Sequence, residues 1–349
     1  MYGNEPHNNV KKNIYHSGMP TIMIKPTVLV TRSFFPDLLQ KLSEKCSLIV
    51  WKDESPPPYD WIKQHIPEAD ALICMLTDKI DAELISLGAA NRLKVISQIA
   101  VGVDNIAVSA ATTHKIPVGH TPGVLTETTA DFAWALLMAA ARRVVESAVE
   151  VSDNIWRPWG PEVLCGADVY GKTLGLIGFG RIGKAMARRA AGFEMQVLYY
   201  EPRFKPENAA ITNARYVSLE ELLRESDFVS LHAYLSDSSR GMIGKAQFSM
   251  MKPSAILINT GRGAMIDHDA LFDALKRNTI ASAALDVFDP EPIPQNHALL
   301  GLPNVIITPH IASASTATRH QMAVMTIDNI LAGLEGKPIP YCANPETYR

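Results

Sequence analysis

The 349-residue sequence predicts an α/β protein of two doubly wound parallel-sheet domains. Three observations carry that prediction. Two stretches of the chain alternate short apolar runs with segments of helical spacing, the pattern of parallel βα units. The length is too great for one compact core and suits two. The composition, 47% apolar and 20% charged, is that of a soluble globular chain.

The elements follow in order. Residues 1–23 include His7, Asn8, Asn9, Lys11 and Lys12 and lack an apolar core. They read as a disordered extension or a targeting piece, not as a secretory signal. Apolar runs at 27–31, 47–50, 71–75 and 94–97 predict four strands, with helical spacing at 37–45 and 81–90 between them. Pro56-Pro57-Pro58 marks a loop. A long helix is then expected, opened by Thr128 and Asp131 in capping-box spacing and running to about residue 148. After a Trp/Pro/Gly loop at 156–160, strands are expected at 173–177, 196–200, 228–231, 255–258, 281–285 and 305–308. A last helix spans 315–334.

No apolar run approaches the ~18 residues that a membrane span needs. A net charge of -3 argues against nucleic acid or an anionic membrane as the main partner. Cys46, Cys74, Cys165 and Cys342 lie far apart with no CxxC pair, which fits reduced thiols in a cytoplasmic protein and no metal site.

The richest signal is Gly178-Phe179-Gly180-Arg181-Ile182-Gly183, a GxGxxG directly after an expected strand and opening a helix over 184–191. Gly178 allows the tight turn, Gly180 lets a pyrophosphate approach the backbone, and Gly183 lets helix and strand pack closely. The helix start offers free N–H groups and a positive dipole end to phosphates. Glu201 stands about 20 positions on, where a carboxylate meets the adenosine ribose and repels a 2′-phosphate. NAD is therefore favoured, with NADP left open by Arg203 two residues later.

Three further strand ends carry charge. Gly261-Arg262-Gly263 follows one strand, Pro290-Glu291-Pro292 another, and Pro309-His310 a third. In a doubly wound sheet ligands lie beyond the carboxyl ends of the strands, so the three groups can converge. Reducing a 2-oxo acid needs a planar donor fork for carboxylate and carbonyl, which Arg262 supplies. It also needs a proton for the nascent alkoxide, which His310 supplies; a neighbouring Glu291 would raise the His310 pKa. In the oxidative direction His310, neutral, would be the general base. His232, at another strand end, reads as a cleft-lining or buried histidine.

Taken together, GFGRIG, YYEPR, INTGRG, LDVFDPEP and TPHIAS resemble the D-isomer-specific 2-hydroxyacid dehydrogenases, and within them the glyoxylate/hydroxypyruvate reductases. The resemblance runs from about Ile24 to Asn344. It implies a flavodoxin-like substrate domain (24–125 plus 315–349) and a Rossmann cofactor domain (126–314) with a cleft between. It also implies a catalytic trio of Arg262, Glu291 and His310. Asp286 would orient the nicotinamide carboxamide and Arg181 and Ile182 would bind the pyrophosphate. Thr129, His232, Thr260 and Ser313 would border the cofactor. Backbone N–H groups at Val101 and Gly102 would hold the substrate carboxylate, with Leu76 closing the pocket.

The resemblance further implies a homodimer, with Trp156 or Trp159 reaching a neighbouring subunit's pocket. Two positions depart from the family pattern: Ala312 replaces a glycine and Tyr234 a proline. Glu291 stands where formate-specific relatives have glutamine, which argues against formate. The substrate is left among glyoxylate, hydroxypyruvate, 2-ketogluconate, phosphoglycerate and phosphite. A non-catalytic NAD-sensing co-regulator is the alternative of a different class.

Overall fold

The computed structural model describes residues 25–208 and 214–349; the expected N-terminal extension lies outside them. Among the described residues, β1 (Thr27–Val30), β2 (Ser47–Val50), β3 (Ala71–Cys74), β4 (Val95–Gln98) and β5 (Val118–Gly119) form a parallel sheet ordered β2-β1-β3-β4-β5. A second parallel sheet comprises β6 (Thr173–Ile177), β7 (Gln196–Tyr200), β8 (Ala214–Tyr216), β9 (Phe228–Leu231), β10 (Ile256–Asn259), β11 (Ser282–Leu285) and β12 (Val305–Ile307). Its order is β12-β11-β10-β9-β6-β7-β8. Each order reverses direction once, between β1 and β3 and between β6 and β9, and such switch points are where doubly wound sheets open a crevice.

Most of the strands are largely apolar because both faces of each sheet are covered. Alternation sorts the side chains. Val28, Val30, Ile73 and Val95 pack under α1 (Pro36–Lys45) and α11 (Thr316–Leu334). Leu29, Leu72 and Ile96 face α2 (Tyr59–His65), α3 (Ala82–Ala89) and α4 (Val108–Thr113). In the larger sheet Leu174, Leu176 and Ile258 lie against α5 (Thr126–Ala141) and α7 (Arg181–Ala190). The helix between these two, α6 (Val144–Ser152), buries none of its residues. Ile177, Val229 and Leu257 face α8 (Leu219–Glu225), α9 (Lys245–Phe248) and α10 (His268–Lys276).

The last helix returns to the first sheet. α11, capped where Ser315 Oγ accepts from Thr318 N–H, packs on β3, β4 and β5. Beyond it, Asn344 is fully buried and accepts the Val118 N–H at 2.7 Å through Oδ1. Its Nδ2 donates to Ile116 O at 3.0 Å and Thr112 Oγ1 at 2.9 Å.

Three expectations need correction. The helix expected from 128 to 148 is two helices. α5 starts at Thr126, so Thr128 and Asp131 sit inside it: Thr128 Oγ1 meets Thr318 Oγ1 at 2.7 Å, and Asp131 pairs with Arg189 at 2.6 Å. It stops at Ala141 because the carbonyl there is taken by Ala167 N–H at 2.7 Å and Arg143 adopts φ +53°. The dinucleotide helix begins at Arg181, not 184, with Gly180 as its cap. β5 and β8 add to the expected strands; they are two and three residues long, too short for an apolar run to show.

Candidate active site

A cavity of about 1080 Å³ opens beyond the carboxyl ends of both sheets, with walls from each. The turn after β6 enters it first. Gly178 has φ +95°, and a Cβ there would stand 2.5 Å from Ala233 N and from His232 C, so only glycine permits this approach to the end of β9. A Cβ on Gly183 would strike Gly178 O at 2.3 Å, which fixes how closely α7 packs on β6. Gly180 has nothing within 4 Å of its Cβ position. A tight turn, a snug helix and an open place at the helix start are what a dinucleotide pyrophosphate requires.

Glu201 follows β7 and is almost wholly buried. Its Oε1 accepts from Asn208 Nδ2 at 2.6 Å, and Oε2 pairs with Lys205 Nζ at 2.9 Å. Each carboxylate oxygen keeps a lone pair for a ribose hydroxyl. His232, after β9, holds Ser230 Oγ at 2.9 Å, and burial pushes it down to about 4, so it lines the wall as a neutral ring. Thr260 Oγ1 is buried beside the same wall with no partner among the described residues, an orphan hydroxyl where a bound cofactor would meet it. Thr129, Ile182 and Ser313 also line this side.

His310 and Glu291 form a tightly built pair. His310 Nδ1 lies 2.7 Å from Glu291 Oε2, and Glu291 Oε1 accepts the Phe288 N–H at 2.9 Å. One carboxylate oxygen is thus anchored to the backbone and the other to the ring, leaving the second ring nitrogen, Nε2, for a reacting group. Asp286 fixes the loop that carries His310. Its Oδ1 accepts from Thr308 Oγ1 at 2.6 Å and Ile311 N–H at 2.9 Å, and Oδ2 from Ala312 N–H at 2.8 Å. Most of its acceptor capacity is spent on the loop, with one site on Oδ2 left over. The alanine at 312, unusual against the family pattern, is accommodated because it contributes its backbone N–H and a small buried methyl.

Arg262 caps β10. The buried Asn259 side chain holds this turn from both ends, accepting Gly261 N–H at 2.9 Å and donating to Arg262 O at 3.0 Å. Across the cleft lies the loop after β4. Asn105 Nδ2 lies within hydrogen-bond distance of Met75 O, Asp78 O and Gln98 Oε1, which ties this loop to the one carrying Leu76. Among the described residues no group accepts the N–H of Val101 or Gly102, so both remain available to an anion.

The structure therefore gathers Leu76, Val101, Gly102, Arg262, Glu291 and His310 on one wall system. It adds Thr129, Ile182, His232, Thr260, Asp286 and Ser313 alongside. Gly178, Gly180, Arg181 and Gly183 form the turn beside it, and Glu201 lies farther along the same sheet edge. Among the wall residues that escape the sequence reading, two touch the charged groups. Asp104 contacts Arg262, and Arg319 Nη2 donates to His310 O at 3.3 Å. A charge inside an otherwise apolar glycine loop is the available signal for Asp104; nothing in the spacing marks Arg319.

The family described as D-isomer specific 2-hydroxyacid dehydrogenase, NAD binding domain, matches residues 134–312. A glyoxylate reductase of Korarchaeum cryptofilum is 50% identical over 327 residues, covering 93% of this chain and 98% of the relative. One from Aeropyrum pernix is 46% identical over 331 residues, covering 94% and 98%. Among solved structures, a Thermus thermophilus protein superposes with TM-score 0.85 at 44% identity, covering 91% of this chain and 99% of its own. An NADPH-dependent glyoxylate/hydroxypyruvate reductase from Sinorhizobium meliloti, solved with NADP and malonate, gives TM-score 0.81 at 29% identity, covering 93% and 98%.

Proposed function

This chain belongs to the D-isomer-specific 2-hydroxyacid dehydrogenases, and from that membership we propose that it reduces glyoxylate, with hydroxypyruvate as the next substrate. It is an NAD(P)-dependent oxidoreductase acting on a small 2-oxo or 2-hydroxy acid. The observation that carries the substrate reading is the glyoxylate reductase identity over nearly the whole chain.

The residues present fit a dinucleotide: an open Gly180, an unpartnered Thr260 hydroxyl and a carboxylate at the end of β7. When bound, NAD(P)H supplies the hydride. The chain supplies the rest. Val101 and Gly102 N–H and the Arg262 guanidinium hold the carboxylate and polarise the carbonyl. His310 Nε2 delivers the proton to the carbonyl oxygen. Glu291 fixes the ring and compensates the charge of the imidazolium. Asp286, by pinning residues 308–312, keeps His310 in place, and its spare Oδ2 acceptor suits a carboxamide N–H₂.

We assign the substrate domain to 24–125 plus 315–349 and the cofactor domain to 126–314; this follows α11 onto the first sheet and α5 onto the second. A homodimer is part of the proposal. α6, with no buried residue, leads to Trp156 and Trp159, which are 79% and 91% exposed. Such an apolar arm suits a second copy of this chain; sedimentation as a monomer at micromolar concentration would remove the dimer. No helix among the described residues is long and apolar enough to cross a membrane. A cytoplasmic setting is proposed from the unpaired cysteines.

The test is NADH and NADPH consumption with glyoxylate, hydroxypyruvate, pyruvate and 2-ketogluconate offered in turn. Fast turnover of glyoxylate supports the reading. Turnover of 2-ketogluconate alone moves the substrate. No turnover with any acid, despite tight NADH binding, favours the NAD-sensing role.

A further inference from the structure

Arg262 and Asp104 meet across the cleft, one from the turn after β10 and the other from the loop after β4. Arg262 Nε donates to Asp104 Oδ1 at 3.0 Å and Oδ2 at 3.2 Å, and Nη2 reaches Oδ1 at 2.9 Å. Nη1 donates to Gly261 O at 2.9 Å. A guanidinium has five N–H donors fixed in one plane. Asp104 takes the Nε/Nη2 edge and Gly261 takes one N–H of Nη1. One N–H on each terminal nitrogen is left, and these two are the pair that can donate to a planar oxyanion.

The close fit of the loop supports the pairing independently. A Cβ on Gly102 would stand 1.7 Å from Arg262 Nη2 and 2.8 Å from Asp104 Oδ1, so the guanidinium occupies the space that any side chain at 102 would need. Gly102 is also one of the two loop residues whose N–H no described group accepts.

We propose that Asp104 is a positioning residue of this reaction: it clamps the side edge of Arg262 so that only the terminal N–H pair meets the substrate carboxylate and carbonyl. Asp104 does not touch substrate; it acts through Arg262. Burial alone would raise its carboxyl, but the Arg262 hydrogen bond and charge outweigh that, together with His310, and hold it below the ordinary carboxylate range. It is therefore a full negative charge at working pH. Arg262 is neutralised by a fixed counter-ion, so the clamp also sets what remains if the arginine is lost. An unpaired carboxylate would then face an anionic substrate.

This inference rests on the reading that Arg262 binds the acid, and two comparisons separate the failure of one from failure of the other. Wild-type turnover of a 2-oxo acid is measured first; its absence counts against the function, not against the clamp. Given turnover, Asp104→Asn and Asp104→Ala should raise KM for glyoxylate by roughly tenfold, the mid-range of coupling between contacting groups, while the NADH dissociation constant stays within about twofold. The decisive measurement is the double variant. Arg262→Ala alone leaves Asp104 facing the acid, so Arg262→Ala/Asp104→Ala should show a lower KM than Arg262→Ala. A merely structural Asp104 predicts that the two losses add and the double variant is the worst. That result, or an unchanged KM in Asp104→Asn with NADH binding intact, overturns the proposal.

Discussion

After β6 the chain turns through Gly178 into a helix start where the Cβ position of Gly180 meets no atom within 4 Å. After β3 it turns through Met75 to Asp78, and the space is filled from within: Asp78 is 3% exposed and accepts Thr31 Oγ1 and Met75 N–H. Both turns follow a strand that borders a reversal of strand order, β6 on the near side of its switch point and β3 on the far side. Side chains make them different. Gly180, on a turn that Gly178 and Gly183 hold tight, leaves the larger sheet's crevice open to a long, doubly charged ligand, whereas a buried carboxylate and Asn105 brace the smaller sheet's loops against a small one. A doubly wound sheet decides where ligands can go; the residues at the turns decide their size.

That contrast breaks first at the chemistry. If the larger sheet holds the reacting groups and the smaller one only grips the acid, His310→Ala should lower turnover by about 100-fold or more while NADH binding persists. Near-normal reduction, measured by steady-state kinetics, removes His310 from its role. Gly178→Ala comes next. Its φ and the 2.5 Å contacts with Ala233 and His232 predict a loss of about 1–3 kcal/mol in chemical denaturation, together with lost NADH binding. Gly180→Ala should leave the denaturation midpoint in place and weaken NADH alone; equal destabilisation by both would mean the turn is not open as described.

Glu201→Ala should weaken NADH by roughly tenfold and NADPH less, because only NADH loses a ribose bond without also shedding a repulsion. Equal losses in fluorescence titrations would mean that Asn208 and Lys205, not the cofactor, use the carboxylate. The smallest effect belongs to the smaller sheet. Burial raises the Asp78 carboxyl, against the pull of Thr31, Met75 and Arg32. A raised folded-state value favours the protonated form, so its stabilising share is complete below the unfolded value and is lost as pH climbs through the folded one. Asp78→Asn should therefore gain stability relative to the parent as pH rises from about 4 to about 7. A gap in melting temperature that stays constant over that range would show that the bracing does not titrate.

The same contrast governs what the sequence makes legible. Strands covered on both faces print as unbroken apolar runs, so β1 and β6 can be read directly, and the glycine loop announces itself because a backbone requirement restricts residue type. The bracing of the smaller sheet leaves no such mark. Asp78, Gln98 and Asn105 are ordinary polar residues until the fold joins them. Arg142-Arg143 contains no helix breaker; the end of α5 comes from Ala167 taking the Ala141 carbonyl, a contact made only after folding. Arg262 and Asp104 stand 158 positions apart, and no local pattern links them. Arg215 and Tyr216 in β8 are exposed, so that edge strand lacks the apolar signature of the others.

The late position of Asn344 has a consequence for biosynthesis. The first sheet to be synthesised is covered on one face by α11 and stitched at its edge by Asn344 to β5, residues made more than 200 positions later. During synthesis, Ile73 and Val95, on the strands that α11 covers, must wait while the entire second domain emerges and folds. The amino-terminal half is thus the last to become native. A nonsense change near residue 315 would do more harm there than to the complete domain that precedes it, leaving an apolar sheet face as a ready target for chaperones and proteases.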